Sequence, residues 1–250
     1  MMRLENVSVT EVKSRILRNV TLSVTPGITV LLGENGSGKT TLLRCAAGLR
    51  KFEGRVLLDG TDARTLSPGE RARRISLLPQ SLPAPNIPVE TLVSFGRRPW
   101  APYTGRLSRE DLGKRDEAIL RMGLEPLRHA FLPTLSGGEL QKAYFAMLLA
   151  QDGDIVLLDE PASHLDGSAS AFLAKELCTL RDMGKAVFCV MHDVTGAAEL
   201  ADHFAVLQNG ELVFSGDREA FLSQKIPERF LHLTRYRAED ENGNSRSFFR

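Results

Sequence analysis

Ile28-Thr29-Val30-Leu31-Leu32-Gly33-Glu34-Asn35-Gly36-Ser37-Gly38-Lys39-Thr40-Thr41 joins an apolar strand to a Gly-rich turn and a helix-forming run that continues to Ala47. The glycines let the backbone curl until successive N–H groups point into one cavity, where a helix N-terminus adds partial positive charge. The expected occupant is the phosphate tail of a nucleotide. In that reading Lys39 reaches the β- and γ-phosphates and the Thr40 hydroxyl ligates Mg²⁺. Gly33, Glu34, Asn35, Gly36, Ser37, Gly38 and Thr41 complete the cradle.

Upstream of the loop, Leu4 to Val9 and Ile16 to Val24 read as short strands, an antiparallel flank broken by a charged turn and Pro26-Gly27. Downstream, Gly54 to Gly60 reads as a strand, Pro68 to Arg74 as a short helix, and Ile75 to Leu78 as a strand ending at Pro79-Gln80. The pattern then turns proline-rich (Pro83, Pro85, Pro88, Pro99, Pro102) and afterwards helical, with a capping box at Ser108 and Asp111 ahead of Leu112, Ala118, Ile119 and Met122. We expect residues 81–150 to be a mainly helical insertion. Strand and helix then alternate again: Asp154 to Asp159, a helix from Leu165 to Asp182 with Leu165, Ala169, Phe172, Leu173, Leu177 and Leu180 on its core face, and Ala186 to Met191. Asn209-Gly210 predicts a hairpin between Phe204 to Gln208 and Glu211 to Phe214. Such alternation implies a largely parallel sheet with ligands beyond the carboxyl ends of its strands. Residues 235–250 read as a polar, charged tail without helical period.

Ile155-Val156-Leu157-Leu158-Asp159-Glu160 places two carboxylates at a strand end beside the loop. Asp159 suits a Mg²⁺ shell, and Glu160 suits the base that polarises a water for in-line attack on the γ-phosphorus. His192 and Gln80 also follow strands: the imidazole can sense the γ-phosphate, and the amide can meet Mg²⁺ or the attacking water. Leu135-Ser136-Gly137-Gly138-Glu139 precedes a helix from about Leu140 to Ala150 and forms a second anion-binding helix start. One chain already wraps its own nucleotide with the first loop, so Ser136, Gly137 and Gly138 are expected to serve a neighbour's nucleotide.

Composition excludes other classes. The chain has 250 residues, 42% hydrophobic and 25% charged, which fits a folded globular protein able to bury a large core. A formal net charge of +1 argues against nucleic acid as a partner, leaving Arg71, Arg73, Arg74, Arg97 and Arg98 as local contact points or solvated faces. Cys45, Cys178 and Cys189 sit in apolar segments, as buried reduced thiols do. No long apolar run and no leader core occur, so we expect a chain that neither spans a membrane nor is exported by that route.

With these motifs in this order, the chain resembles the nucleotide-binding subunit of an ATP-binding cassette (ABC) transporter over about residues 3–225. The resemblance implies an α/β fold: a P-loop NTPase core with a mostly parallel sheet, an N-terminal antiparallel β flank and an inserted α-helical subdomain, with the ATPase domain at 1–234 and the tail at 235–250. It implies ATP and Mg²⁺ as ligands, the D-loop at Ser163-His164-Leu165-Asp166, and a head-to-tail homodimer sandwiching two ATP molecules. It further implies integral membrane permease subunits as partners, a periplasmic or extracellular substrate-binding protein indirectly, and a peripheral place on the cytoplasmic face of the inner membrane. The stretch from Val93 to Trp100, with Gly105 to Ser108 and Asp111, is similar to importers of iron-siderophore complexes, with haem and cobalamin importers or a soluble non-transport ABC ATPase as alternatives. Prolines between Gln80 and Pro102 would stiffen the surface where a permease helix docks, with Phe95 and Trp100 in its groove. Three positions depart from the family pattern: Val9 to Lys13 carries no aromatic to stack on adenine, Leu140 follows the signature, and His164 stands in the D-loop.

Overall fold

The computed structural model describes residues 1–11, 14–102, 104–162, 167–239 and 245–250. Ser163 to Asp166 therefore lie outside the described residues, as do Val12 and Lys13 of the stretch that lacks an aromatic. In chain order the elements are β1 (Met2–Glu11), β2 (Ser14–Val24), β3 (Gly27–Leu32), α1 (Lys39–Ala46), β4 (Glu53–Leu58), β5 (Thr61–Asp62), α2 (Pro68–Arg74) and β6 (Ile75–Leu78). Then come α3 (Val89–Phe95), α4 (Arg109–Arg121), α5 (Gly137–Gln151), β7 (Ile155–Asp159), α6 (Gly167–Asp182), β8 (Ala186–Val190) and α7 (Val194–Leu200). The chain closes with β9 (His203–Gln208), β10 (Glu211–Asp217), α8 (Arg218–Ser223), α9 (Ile226–Phe230), β11 (Arg235–Glu239) and β12 (Ser245–Phe249).

A six-stranded sheet in the order β10-β9-β3-β8-β7-β6 is parallel at every pairing except β10 with β9. A second, antiparallel sheet runs β2-β1-β4-β5. Alternate residues of the parallel strands face different cores. Val30, Val156, Leu158, Val187, Cys189, Phe204 and Val206 join the core on the helical side, packed with Phe145 of α5 and Leu173, Leu177 and Leu180 of α6. Leu31, Ile155, Leu157, Phe188, Val190, Ala205 and Leu207 face the other core, shared with α1 and the antiparallel sheet. Both faces are covered, which is why these strands read as unbroken apolar runs. Phe188 is fully buried in the second core, so Phe188→Ala should lower unfolding stability by about 3–5 kcal/mol, read as a shifted urea midpoint with unchanged slope.

Local chemistry sets the element boundaries. Ser67 with Glu70, Ser108 with Asp111 and Ser136 with Glu139 form reciprocal capping boxes at α2, α4 and α5. The last of these starts α5 at Gly137, three residues before the sequence-based expectation. Asn209 (φ 49°) and Gly210 (φ 79°) both adopt the left-handed conformation that a two-residue hairpin turn requires.

Of the apolar run that follows the Ser108 cap, Ala118, Ile119 and Met122 are buried and Leu112 is exposed. Cys45 and Cys189 are buried but Cys178 is only half-buried. Burial pushes the Cys45 thiol up to about 11 and raises Cys189 as well, so both stay protonated. Within the stretch read as a polar tail without helical period, β11 and β12 pair antiparallel.

Arg97 is neither a solvated face nor a partner contact. It is 5% exposed, donates to Asp111 Oδ1 at 2.9 Å and to Ala150 O at 2.8 Å, and lies 5.0 Å from the centre of the Trp100 ring. One ion pair thus joins the start of α4, the end of α3 and the end of α5. Burial pulls the Asp111 carboxyl upward, yet hydrogen bonds from Ser108 and Arg97 outweigh it and leave the group below its ordinary value. A depressed carboxylate stabilises the fold above its unfolded value and loses that contribution as pH falls through the folded one. Asp111→Asn should therefore flatten the loss of stability below about pH 4 in acid-denaturation curves, while lowering stability at neutral pH.

Candidate active site

Parallel registry aligns the carboxyl ends of four neighbouring strands. Leu31 sits opposite Val190, Val190 opposite Asp159, and Leu158 opposite Leu78. The segments that leave β3, β8, β7 and β6 at this edge carry the Gly33 to Thr41 loop, His192, Asp159-Glu160 and Gln80. Residues up to 159 positions apart in sequence thus reach one rim of the sheet by topology alone.

The loop folds against its own chain. Gly33 (φ 149°) has no room for a side chain: an added Cβ would stand 2.2 Å from Leu207 O and 2.8 Å from Ser37 Oγ. Gly210 N donates to Ser37 O at 3.1 Å and Arg18 N to Gly210 O at 2.8 Å, tying the loop to the β9–β10 turn and to β2. Helix α1 begins on Gly38 with no capping side chain, which leaves its first-turn N–H groups for an anion. Ser37 Oγ is buried without a partner among the described residues. An orphaned hydroxyl beside an uncapped helix start fits a phosphate group.

Lys39, 6% exposed, folds back to donate from Nζ to Gly33 O at 2.7 Å and Glu34 O at 2.9 Å. Burial holds its ammonium below the usual lysine value, with the Glu160 and Asp159 charges only partly offsetting this. Asp159 shows the converse shift: burial raises its carboxyl, and the hydrogen bond from Thr40 Oγ1 at 3.0 Å opposes the rise. Among the described residues no group of three or more His, Cys, Asp and Glu forms a metal cage. Thr40 with Asp159 is instead a sparse, all-oxygen pair, the donor type that suits Mg²⁺ completed by phosphate oxygens and water.

Glu160 occupies a left-handed backbone conformation (φ 52°), and its N–H donates to Val190 O at 3.1 Å. Its carboxylate is gripped from two sides. Gln80 Nε2 donates to Oε2 at 2.9 Å, and His192 Nε2 pairs with Oε1 at 2.5 Å. An ionised carboxylate only accepts, so this contact assigns the imidazole proton to Nε2.

Ser136, Gly137 and Gly138 stand elsewhere, at the start of α5. Among the described residues no hydrogen bond joins them to the Gly33 to Thr41 loop. Among the described residues a Cβ added at Gly137 or Gly138 meets nothing within 4 Å beyond its chain neighbours and its own helical backbone, so the backbone there is open to a visitor. Sequence reasoning gave no role to Gln141, one turn along α5. Its Nε2 donates to Pro161 O, the residue after Glu160, so the signature helix is fastened to the carboxylate's own turn. Asp193 was also missed: its carboxylate caps α7 through Thr195 N at 2.9 Å and Gly196 N at 3.0 Å, fixing the segment that carries His192. An Asp followed by Thr and Gly after a strand was the available signal.

The sequence profile of the ABC transporter family matches residues 17–163. The petrobactin import ATP-binding protein YclP of Bacillus subtilis (strain 168) is 34% identical over 238 residues, spanning 94% of this chain and 94% of that protein. The ferric enterobactin transport ATP-binding protein FepC of Escherichia coli (strain K12) is 36% identical over 225 residues, 88% of this chain and 83% of that protein. Among solved structures, the dimeric bacterial ABC transporter cassette MJ0796 superposes with a TM-score of 0.76 at 26% identity, covering 87% of this chain and 99% of that one.

Proposed function

This chain belongs to the ABC transporter family and is one of its ATPases, and from that premise we propose that it powers import of an iron-siderophore-type chelate through a partner permease. The observation that carries the site assignment is the convergence of the phosphate loop, Asp159-Glu160, His192 and Gln80 on one sheet edge. The cargo class rests on the relatives, which are named for petrobactin and ferric enterobactin transport.

Lys39, the N–H groups of the loop and the Ser37 hydroxyl bind the β- and γ-phosphates of ATP. Thr40, Asp159 and Gln80 would hold Mg²⁺, which neutralises developing charge on the phosphates. Glu160 orients and deprotonates the attacking water, a task that needs Gln80 and His192 to release its carboxylate first. His192 then turns to the γ-phosphate and reports its presence. Ser136, Gly137 and Gly138 complete the pocket of a second copy, so two protomers enclose two nucleotides. Residues 81–150 act as the arm that carries this signature and presents Phe95 and Trp100 to the permease on the cytoplasmic side of the membrane. No helix among the described residues is long and apolar enough to cross a bilayer, in keeping with a subunit that works from the surface.

Deleting the gene and measuring uptake of radiolabelled ferric siderophores tests the proposal. Loss of uptake, restored by the parent chain but not by Glu160→Gln, is expected; unimpaired uptake of every ferric chelate, with another solute lost instead, would refute the cargo assignment.

A further inference from the structure

The left-handed turn that carries Glu160 is pinned through its backbone from two elements. On one side the Glu160 N–H donates to Val190 O of β8 at 3.1 Å, and on the other the carbonyl of buried Pro161 accepts from Gln141 Nε2 of α5. Left-handed backbone is unfavourable for a residue with a Cβ and persists only where the surroundings over-determine it. Proline has no N–H to add to the turn, so its carbonyl is the group an outside partner can hold.

Gln141 supplies that hold from a fixed base. It is half-buried one turn into α5, and the same stretch of helix is fastened on both sides. Lys142 Nζ lies 5.0 Å from the centre of the Phe172 ring on α6, and Tyr144 OH donates to Pro83 O at 2.5 Å, three residues beyond Gln80. The grips of Gln80 and His192 are of another kind, because they occupy the carboxylate itself and must release it before it can take a proton from water. A restraint that outlasts that release has to act on the backbone. We infer that Gln141 is a positioning residue for the base: its bond to Pro161 O keeps the Glu160 turn in its left-handed conformation once the side chain is set free. This rests on Glu160 as the base and requires nothing from a second chain.

A double-mutant cycle in the full chain tests it. Gln141→Met keeps the length of the side chain and loses the donor. Single-turnover hydrolysis of MgATP should slow roughly tenfold to a hundredfold, with nucleotide affinity and melting temperature close to the parent's. Gln141→Lys, which returns an N–H donor of similar reach, should recover most of the rate. In a Glu160→Gln background Gln141→Met should cost almost nothing further, since no base remains to be placed. A Gln141→Met rate within about twofold of the parent overturns the inference. An equal loss in both backgrounds also overturns it, because Gln141 would then act on the fold or the signature and not through Glu160. So does weakened nucleotide binding without slower single turnover. Parental turnover by Glu160→Gln alone would instead refute the base, and this inference with it.

Discussion

Glu160→Gln should bind MgATP with near-parental affinity and hydrolyse it about 10²–10⁴-fold more slowly, the range a general base contributes. The nucleotide is held by Lys39, Thr40 and the loop N–H groups, and Gln keeps the size of the side chain it replaces, so binding survives. Its partners explain the rest of the phenotype. The new amide can still accept from His192 Nε2 through its oxygen, but its NH₂ group then faces Gln80 as a donor, so Gln80 must turn its own amide to keep the contact. Single-turnover hydrolysis beside equilibrium nucleotide binding separates the effects. Turnover within a few fold of the parent would assign the base elsewhere.

Lys39→Met carries the second large expectation, with opposite signs for ligand and fold. ATP affinity should fall by roughly a hundredfold or more, because charge-assisted hydrogen bonds to phosphate are each worth about 1.5–3 kcal/mol. The nucleotide-free protein, however, should melt no lower than the parent. The ammonium is buried, and burial lowers its proton affinity below that of an unfolded lysine. A lysine with a depressed folded value costs stability while it remains protonated, at every pH below that value, and the cost lifts as pH rises through it. Removing the charge removes the cost. A strongly lowered melting temperature in the absence of nucleotide would show that the bonds to Gly33 O and Glu34 O outweigh the penalty.

The parts of the site that follow from strand order were legible in the sequence. Once Gly33 to Thr40, Asp159-Glu160, His192 and Gln80 each follow an apolar run, a parallel sheet brings them to one edge. The link between them was not legible, since Gln80 and His192 meet Glu160 across 80 and 32 residues of sequence. Arg97 was misread for the same reason: its charge is buried because Asp111 and Ala150 O arrive from other elements. Short helices such as α7 and α8 carry too few turns to show an apolar period, and their sequence signal is only the cap from Asp193 or Asp217. In the C-terminal hairpin the alternation is masked because the outward face bears aromatics where charge is expected, so Tyr236 and Phe248 broke the pattern that would have marked a strand.

Two chains completing each other's pocket is the claim on which the proposed chemistry depends, and ATP-dependent disulfide trapping tests it most directly. Cysteines at exposed Asn35 of one chain and at Gly137 of another, with the half-buried Cys178 replaced, should cross-link rapidly on adding MgATP in a Glu160→Gln background and slowly without it. Cross-linking between chains that is indifferent to ATP, or that forms only within one chain, would contradict the account.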